Sequence, residues 1–182
     1  MTTELRLAEA LKEMMAGRSL DQITVKNLTE LSGITRPTFY YHFHDIYDLL
    51  AWIFLNETID GLEKTKTWVE ALSKIGRYCL NNRSLILKTY ESAGKDLLLE
   101  FLNNNLYSFH MRLLSELDKE NKILEEARKQ IAIFYSAAAN AILSDWIRQG
   151  MKVNLNDITK ELSDHIGNYM NTLNKGYQHE II

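Results

Sequence analysis

A single proline in 182 residues is the feature that most restricts this chain. Proline lacks a backbone donor and clashes with the preceding turn, so helices stop where prolines recur. Here they do not recur, and eight glycines leave long stretches without a breaker. Leu, Glu, Lys, Ala and Asn fill those stretches, and β-branched runs are scarce. An all-α chain is expected. With 46% hydrophobic and 25% charged residues it can bury a core, and disorder is not expected.

Several function classes fall away. Cys79 is the only cysteine, so no intrachain disulfide can form and a reducing cytosol is the expected setting. Met1 to Ala10 has no apolar signal core, and no run of about 18 apolar residues occurs. A soluble, cytoplasmic chain with no membrane partner is expected. There is no Gly-rich phosphate loop, paired-Cys metal motif, HExxH or nucleophile elbow. His42 and His44 are two apart, so on a helix they point in different directions and make no metal pair. Neither an enzyme, a metal site nor a cofactor is expected.

Apolar periodicity sets out the helices. Leu7, Ala10, Leu11 and Met14 recur on one face of a first helix that ends near Ala16-Gly17. Leu20 and Ile23 should anchor the connector. Thr24 can cap a second helix running to Ser32, Thr35 a third containing Arg36 to Phe43, and Asp45 a fourth running to about Leu62. Further helices are expected over Trp68 to Leu80, Ser84 to Ser92, Asp96 to Glu120, Ile123 to Gln149 and Asn156 to Lys175. The fourth helix should join the two parts of the chain without a flexible tether. The domain division expected is 1–46 and 47–182.

The segment GITRPTFYYHF, Gly33 to Phe43, holds the lone proline beside four aromatic residues. Two short helices joined by a glycine turn make a helix-turn-helix. Gly33 suits the turn because glycine tolerates positive φ. Leu28, Ile34 and Phe39 are spaced to close the core between the helices, with Phe43 facing inward. Pro37 falls in the first helical turn, where its missing N–H would have no partner anyway. The remaining residues then face outward, towards base edges in a DNA groove.

The stretch ITVKNLTELSGITRPTFYYHFHDIYDLL, Ile23 to Leu50, resembles the signature of TetR-family transcriptional regulators. That resemblance implies a three-helix DNA-binding head followed by a helical ligand-binding and dimerisation domain. It implies a dimer on a palindromic operator in double-stranded DNA, responding to a small molecule or a protein partner. Carried over by position, Thr24 contacts a phosphate and Lys26 a base or phosphate. Thr35 caps the reading helix, and Arg36, Pro37 and Thr38 form the base-reading turn, with Arg36 suited to bidentate contact with guanine. Tyr40 and Tyr41 reach phosphates or thymine methyls, and His42 a phosphate.

The chain departs from that pattern in three ways. Thr29 and Ser32 stand where the family often has alanine. Ile46 stands where a lysine usually meets the DNA backbone, so it should lie beside a phosphate; packing beneath Phe43 and Leu50 is the competing placement. Residues 1–50 carry five Lys and Arg against seven Asp and Glu. A dimeric interaction protein or coregulator with weak or no DNA binding of its own is the alternative reading.

In the second part, FYSAAANAILSDWIRQGMK carries a run of small residues that lets helices approach closely. Ile158, Leu162, Ile166, Met170 and Leu173 give the last helix an apolar stripe. With Ala138, Ile142 and Trp146 these residues are candidates for a two-fold four-helix bundle in a homodimer, or for an intrachain core; the TetR resemblance favours the dimer. The same segment, with LLAWIF at Leu49 to Phe54, is similar to TetR-type regulators linked to dihydroxyacetone kinase operons. Trp68, Tyr90, Tyr107, Phe109, His110, Met111 and Phe134 are candidates for a ligand pocket, with ordinary core packing the competing reading for each.

Overall fold

The computed structural model describes residues 2–120, 122–154, 157, 158 and 160. Among them are eight α-helices and no strand: α1 (Thr3–Gly17), α2 (Val25–Ser32), α3 (Arg36–His42), α4 (Ile46–Asn56), α5 (Trp68–Asn81), α6 (Arg83–Tyr90), α7 (Lys95–Leu117) and α8 (Glu125–Arg148). The expected all-α fold is what forms. The helix expected over Asn156 to Lys175 lies outside the described residues.

The first helices follow local chemistry. Thr24 accepts from the Asn27 N–H while Asn27 accepts from the Thr24 N–H, a reciprocal capping box at the start of α2. Gly33 ends that helix at φ 65°, the left-handed conformation that favours glycine. Leu7, Leu11 and Met15 on α1 are fully buried, as are Leu28 and Phe39, and these close the small core of the head. Leu20 and Ile23 are buried and anchor the α1–α2 connector as expected.

One boundary differs clearly. The fourth helix stops at Asn56 rather than near Leu62. Thr58, Ile59 and Asp60 are only middling helix formers, and Gly61 is a poor one. Gly61 takes φ 73°, and a short 3₁₀ turn at Leu62–Lys64 then turns Leu62 into the core beside Ile59. Arg112 on α7 holds this turn through its Nη2, which donates to the carbonyls of Leu62 and Thr65.

One continuous apolar cluster runs from Leu7 to Met151 and so crosses residue 46. α1 packs on α4 and α6, α4 packs on α7, and α7 and α8 make the most extensive helix pair. Gly94, at the start of α7, lies close against α4. A Cβ there would stand 2.7 Å from the Leu50 Cδ2 of α4. Ser84 of α6 also donates to the Met15 carbonyl of α1 at 2.7 Å.

Candidate nucleic-acid interface

The helix expected to read bases, α3, is built from its first residue. Thr35 caps α3 by accepting from the Thr38 N–H, and its hydroxyl lies 2.7 Å from that of Thr38. Pro37 occupies the first turn without losing a bond. Phe39 points inward and is fully buried, and Phe43 packs on it at 5.9 Å between ring centroids. Thr35, Arg36 and Pro37 stay exposed, as do Tyr40 and Tyr41, the latter at 85%. Thr24 and Lys26 of α2 are exposed on the same helix pair. Arg36 and Lys26 are both exposed cations, and neither has an ion-pair partner among the described residues.

Two α1 residues that the sequence reading passed over position this surface. Arg6 donates through Nη2 to the Ser32 carbonyl at 2.7 Å, satisfying the end of α2 just before the turn. Glu4 lies 3.0 Å from the Nδ1 of His42, the last residue of α3. Its carboxyl sits below the usual range, held there first by backbone hydrogen bonding, then by Thr2 and His42. His42 thus faces Glu4 and is half-buried. Both residues lie off the apolar stripe of α1, and such polar positions carry no periodic signal.

Ile46 requires a correction. Its side chain does not stand out from the surface: it is 7% exposed and belongs to the core cluster. The competing placement is the observed one. The residues around it are acidic, because Asp45 caps α4 through the Asp48 N–H and Tyr47 donates to Asp21 at 2.7 Å. The head therefore offers its cations at α2 and α3, not at the start of α4. Thr29 and Ser32 satisfy their hydroxyls locally, on the carbonyls of Lys26 and Thr29, so neither leaves a buried polar group unpaired in the helix contact.

The ligand-pocket candidates divide. Trp68, Phe109 and His110 come together: the Trp68 ring lies 5.3 Å and the Phe109 ring 5.2 Å from that of His110. His110 is fully buried and its Nδ1 lies 2.8 Å from the Ser136 hydroxyl. Tyr90 stands elsewhere, paired with Ser144 at 3.0 Å. Tyr107 and Met111 are half-buried, and Phe134 is 66% exposed. Of the interface candidates, Trp146 is buried and donates to the Val153 carbonyl of its own chain, while Ala138, Ile142 and Ile158 are half-buried. Leu162, Ile166, Met170 and Leu173 lie outside the described residues. Among the described residues no helix is long and apolar enough to cross a membrane, and no cluster of side chains could hold a metal.

Comparison with known proteins agrees with this architecture. The chain is 31% identical over 91 residues to the HTH-type dhaKLM operon transcriptional activator DhaS of Lactococcus lactis subsp. lactis (strain IL1403). That match takes in 48% of this chain and about half, 49%, of the relative's length. The solved structure of a dihydroxyacetone kinase operon activator DhaS superposes with a TM-score of 0.71 at 20% identity, over 93% of this chain and 97% of that one. The fatty acid degradation regulator FadR from Bacillus halodurans follows at 0.61 and 15% identity, over 90% and 94% of the two chains. At such identities these two show the fold. Residues 66–168, more than half of the chain, match the TetR family described as "Transcriptional regulator C-terminal region". With a helix-turn-helix head in front of that region, the chain belongs to the TetR family of transcriptional regulators.

Proposed function

We propose that the protein binds double-stranded DNA as a homodimer, each head inserting the start of α3 into the major groove of one half of a palindromic operator. The observation that carries this reading is the outward-facing turn Thr35-Arg36-Pro37, capped, rigid and with its arginine exposed. Arg36 reads a guanine, and Lys26, Thr24, Tyr40 and Tyr41 meet the backbone and neighbouring bases; Thr38 and His42 support the same surface. The dimer is supported by the solvent face of α8, where Ile133 and Phe134 are 51% and 66% exposed and are followed by exposed Ala137 and Ala141. A small molecule or a protein coregulator, bound to the helical body, alters the fit of the two heads on the operator.

The test is a fluorescence anisotropy titration against the DNA upstream of the protein's own gene, alongside selection from a random DNA pool. Arg36→Ala should weaken specific binding by about 1–3 kcal/mol and relax preference at one base pair, leaving the fold intact. An unchanged base preference would remove Arg36 from the reading role. A second reading, a dimeric interaction protein that binds DNA weakly or not at all, is favoured by the acidic start of α4 around the buried Ile46. Absence of any selected sequence at low salt would decide for it.

A further inference from the structure

Glu57, the residue that follows α4, faces three ways. Its Oε2 holds the Nζ of Lys12 on α1 at 2.7 Å, in a pair whose side chains are 21% and 33% exposed. It also lines two adjacent clefts against α7, one of about 320 Å³ beside α4 and one of about 280 Å³ beside the 57–63 segment, which share Asn105 and Ser108 with it. The larger cleft has an apolar wall of Phe54, Leu97 and Phe101, with the two phenylalanines stacked at 5.2 Å. Its polar side adds Glu100 and Asn104. Tyr78, its ring centroid 5.4 Å from that of Phe101, is a buried residue whose hydroxyl has no hydrogen-bond partner among the described residues. Burial first, and then the nearby Glu57 carboxylate, push that hydroxyl well above the usual phenol range.

We propose that this cleft takes a small organic cation with an apolar body, and that the cation acts by taking Glu57 away from Lys12. The charge balance selects the class. A half-buried carboxylate that loses its ammonium partner is left uncompensated, which is costly. A neutral ligand cannot replace Lys12, whereas a cation replaces it like for like. An anion would meet both Glu57 and Glu100, and Arg112 is already committed to Leu62 and Thr65. The apolar wall receives the body of the ligand.

The consequence for DNA rests on the proposed function; the binding event does not. Lys12 sits on the helix whose Arg6 holds the α2–α3 turn and whose Glu4 faces the end of α3. Releasing Lys12 removes the ion pair that ties α1 to the end of α4, so the seat of the reading helix and the occupancy of the cleft are linked. Such a link is reciprocal: DNA that favours one seating of α1 changes the affinity for the cation by the same factor.

The experiment uses the full chain and three probes of one shape: benzylamine, benzyl alcohol and benzoate, titrated by calorimetry at neutral pH. Benzylamine should bind at least about tenfold more tightly than the alcohol, and benzoate should not bind. Glu57→Gln should abolish the preference for the amine. Lys12→Met, which removes the competitor and leaves the carboxylate, should tighten the amine by about tenfold. Melting by circular dichroism checks that both variants fold; should Glu57→Gln fail to fold, the Lys12→Met arm decides alone. Equal binding of amine and alcohol, no amine binding at millimolar concentration, or an unchanged affinity in Lys12→Met overturns the proposal. In a second arm the amine should shift operator affinity of the wild type, and an amine that binds without doing so overturns the link to the head. A wild type that binds the amine but no DNA overturns the proposed function and leaves the cleft standing.

Discussion

Helices α1 to α5 each begin at a side chain that accepts a bond from the first turn: Thr2, Thr24, Thr35, Asp45 and Thr67. Helices α6, α7 and α8 begin at Asn82, Gly94 and Leu124 with no such bond. The front of the molecule therefore closes its helix starts with local hydrogen bonds. The back relies on length and packing, with α7 and α8 lying against each other over much of their course. A short helix such as α3 cannot hold itself together by propensity, so it needs its cap and its few buried aromatics. A long helix loses little when its first turn frays. The two regions should consequently fail in different ways.

Removing the aromatic centre of the head gives the largest expected effect. Phe39 is fully buried, and Phe39→Ala should cost about 3–5 kcal/mol by urea unfolding and abolish DNA binding with it. A loss confined to the head, with the body melting unchanged, would show that the shared core does not couple the two.

The body's characteristic weakness is acid. Burial holds the His110 pKa at about 4, below its ordinary 6.5, against a small opposing effect of the Leu106 carbonyl. The folded chain therefore stays unprotonated where the unfolded chain takes up a proton. Stability is full above pH 6.5, declines as pH falls towards 4, and the total loss from this group is about 3 kcal/mol. Unfolding curves of wild type and His110→Phe across that range should diverge; parallel curves would assign the acid loss elsewhere.

Ile46 tests the seam between the regions. Ile46→Lys forfeits buried apolar area, a cost of about 2 kcal/mol, and should leave the salt dependence of DNA binding unchanged. A steeper salt slope with unchanged melting would mean that the lysine reaches a phosphate after all.

Smallest is the cap. Thr35→Ala should cost about 1 kcal/mol, and weaken operator binding beyond that cost because the reading turn loses its brace. The equivalent change at Leu124, the uncapped start of α8, should be nearly silent in a melting experiment. Similar effects at both positions would break the contrast.

Legibility follows the same division. The caps at Thr24, Thr35 and Asp45, the left-handed Gly33 and the inward Phe39 could all be read along the chain, because each cause lies within a few residues of its effect. The premature end of α4 was legible in principle from Thr58, Ile59 and Gly61, but the apolar face of Phe54, Ile59 and Leu62 concealed it. The cleft around Glu57 carried one faint signal, the Asn103-Asn104-Asn105 run inside α7, where asparagine is a poor helix former.

By itself the sequence determined the helical class, the helix-turn-helix, which residues its reading turn exposes, and the family. These depend on breakers, caps and periodicity, which act over one or two turns of chain. Only the tertiary structure decided that Ile46 is core, that Arg6 holds the end of α2 and Glu4 meets the end of α3 from another helix, and that Lys12 meets Glu57 across 45 residues. Those outcomes depend on where α1, α4 and α7 come to rest against one another. Packing of many weak contacts decides that, and no short stretch of chain encodes it.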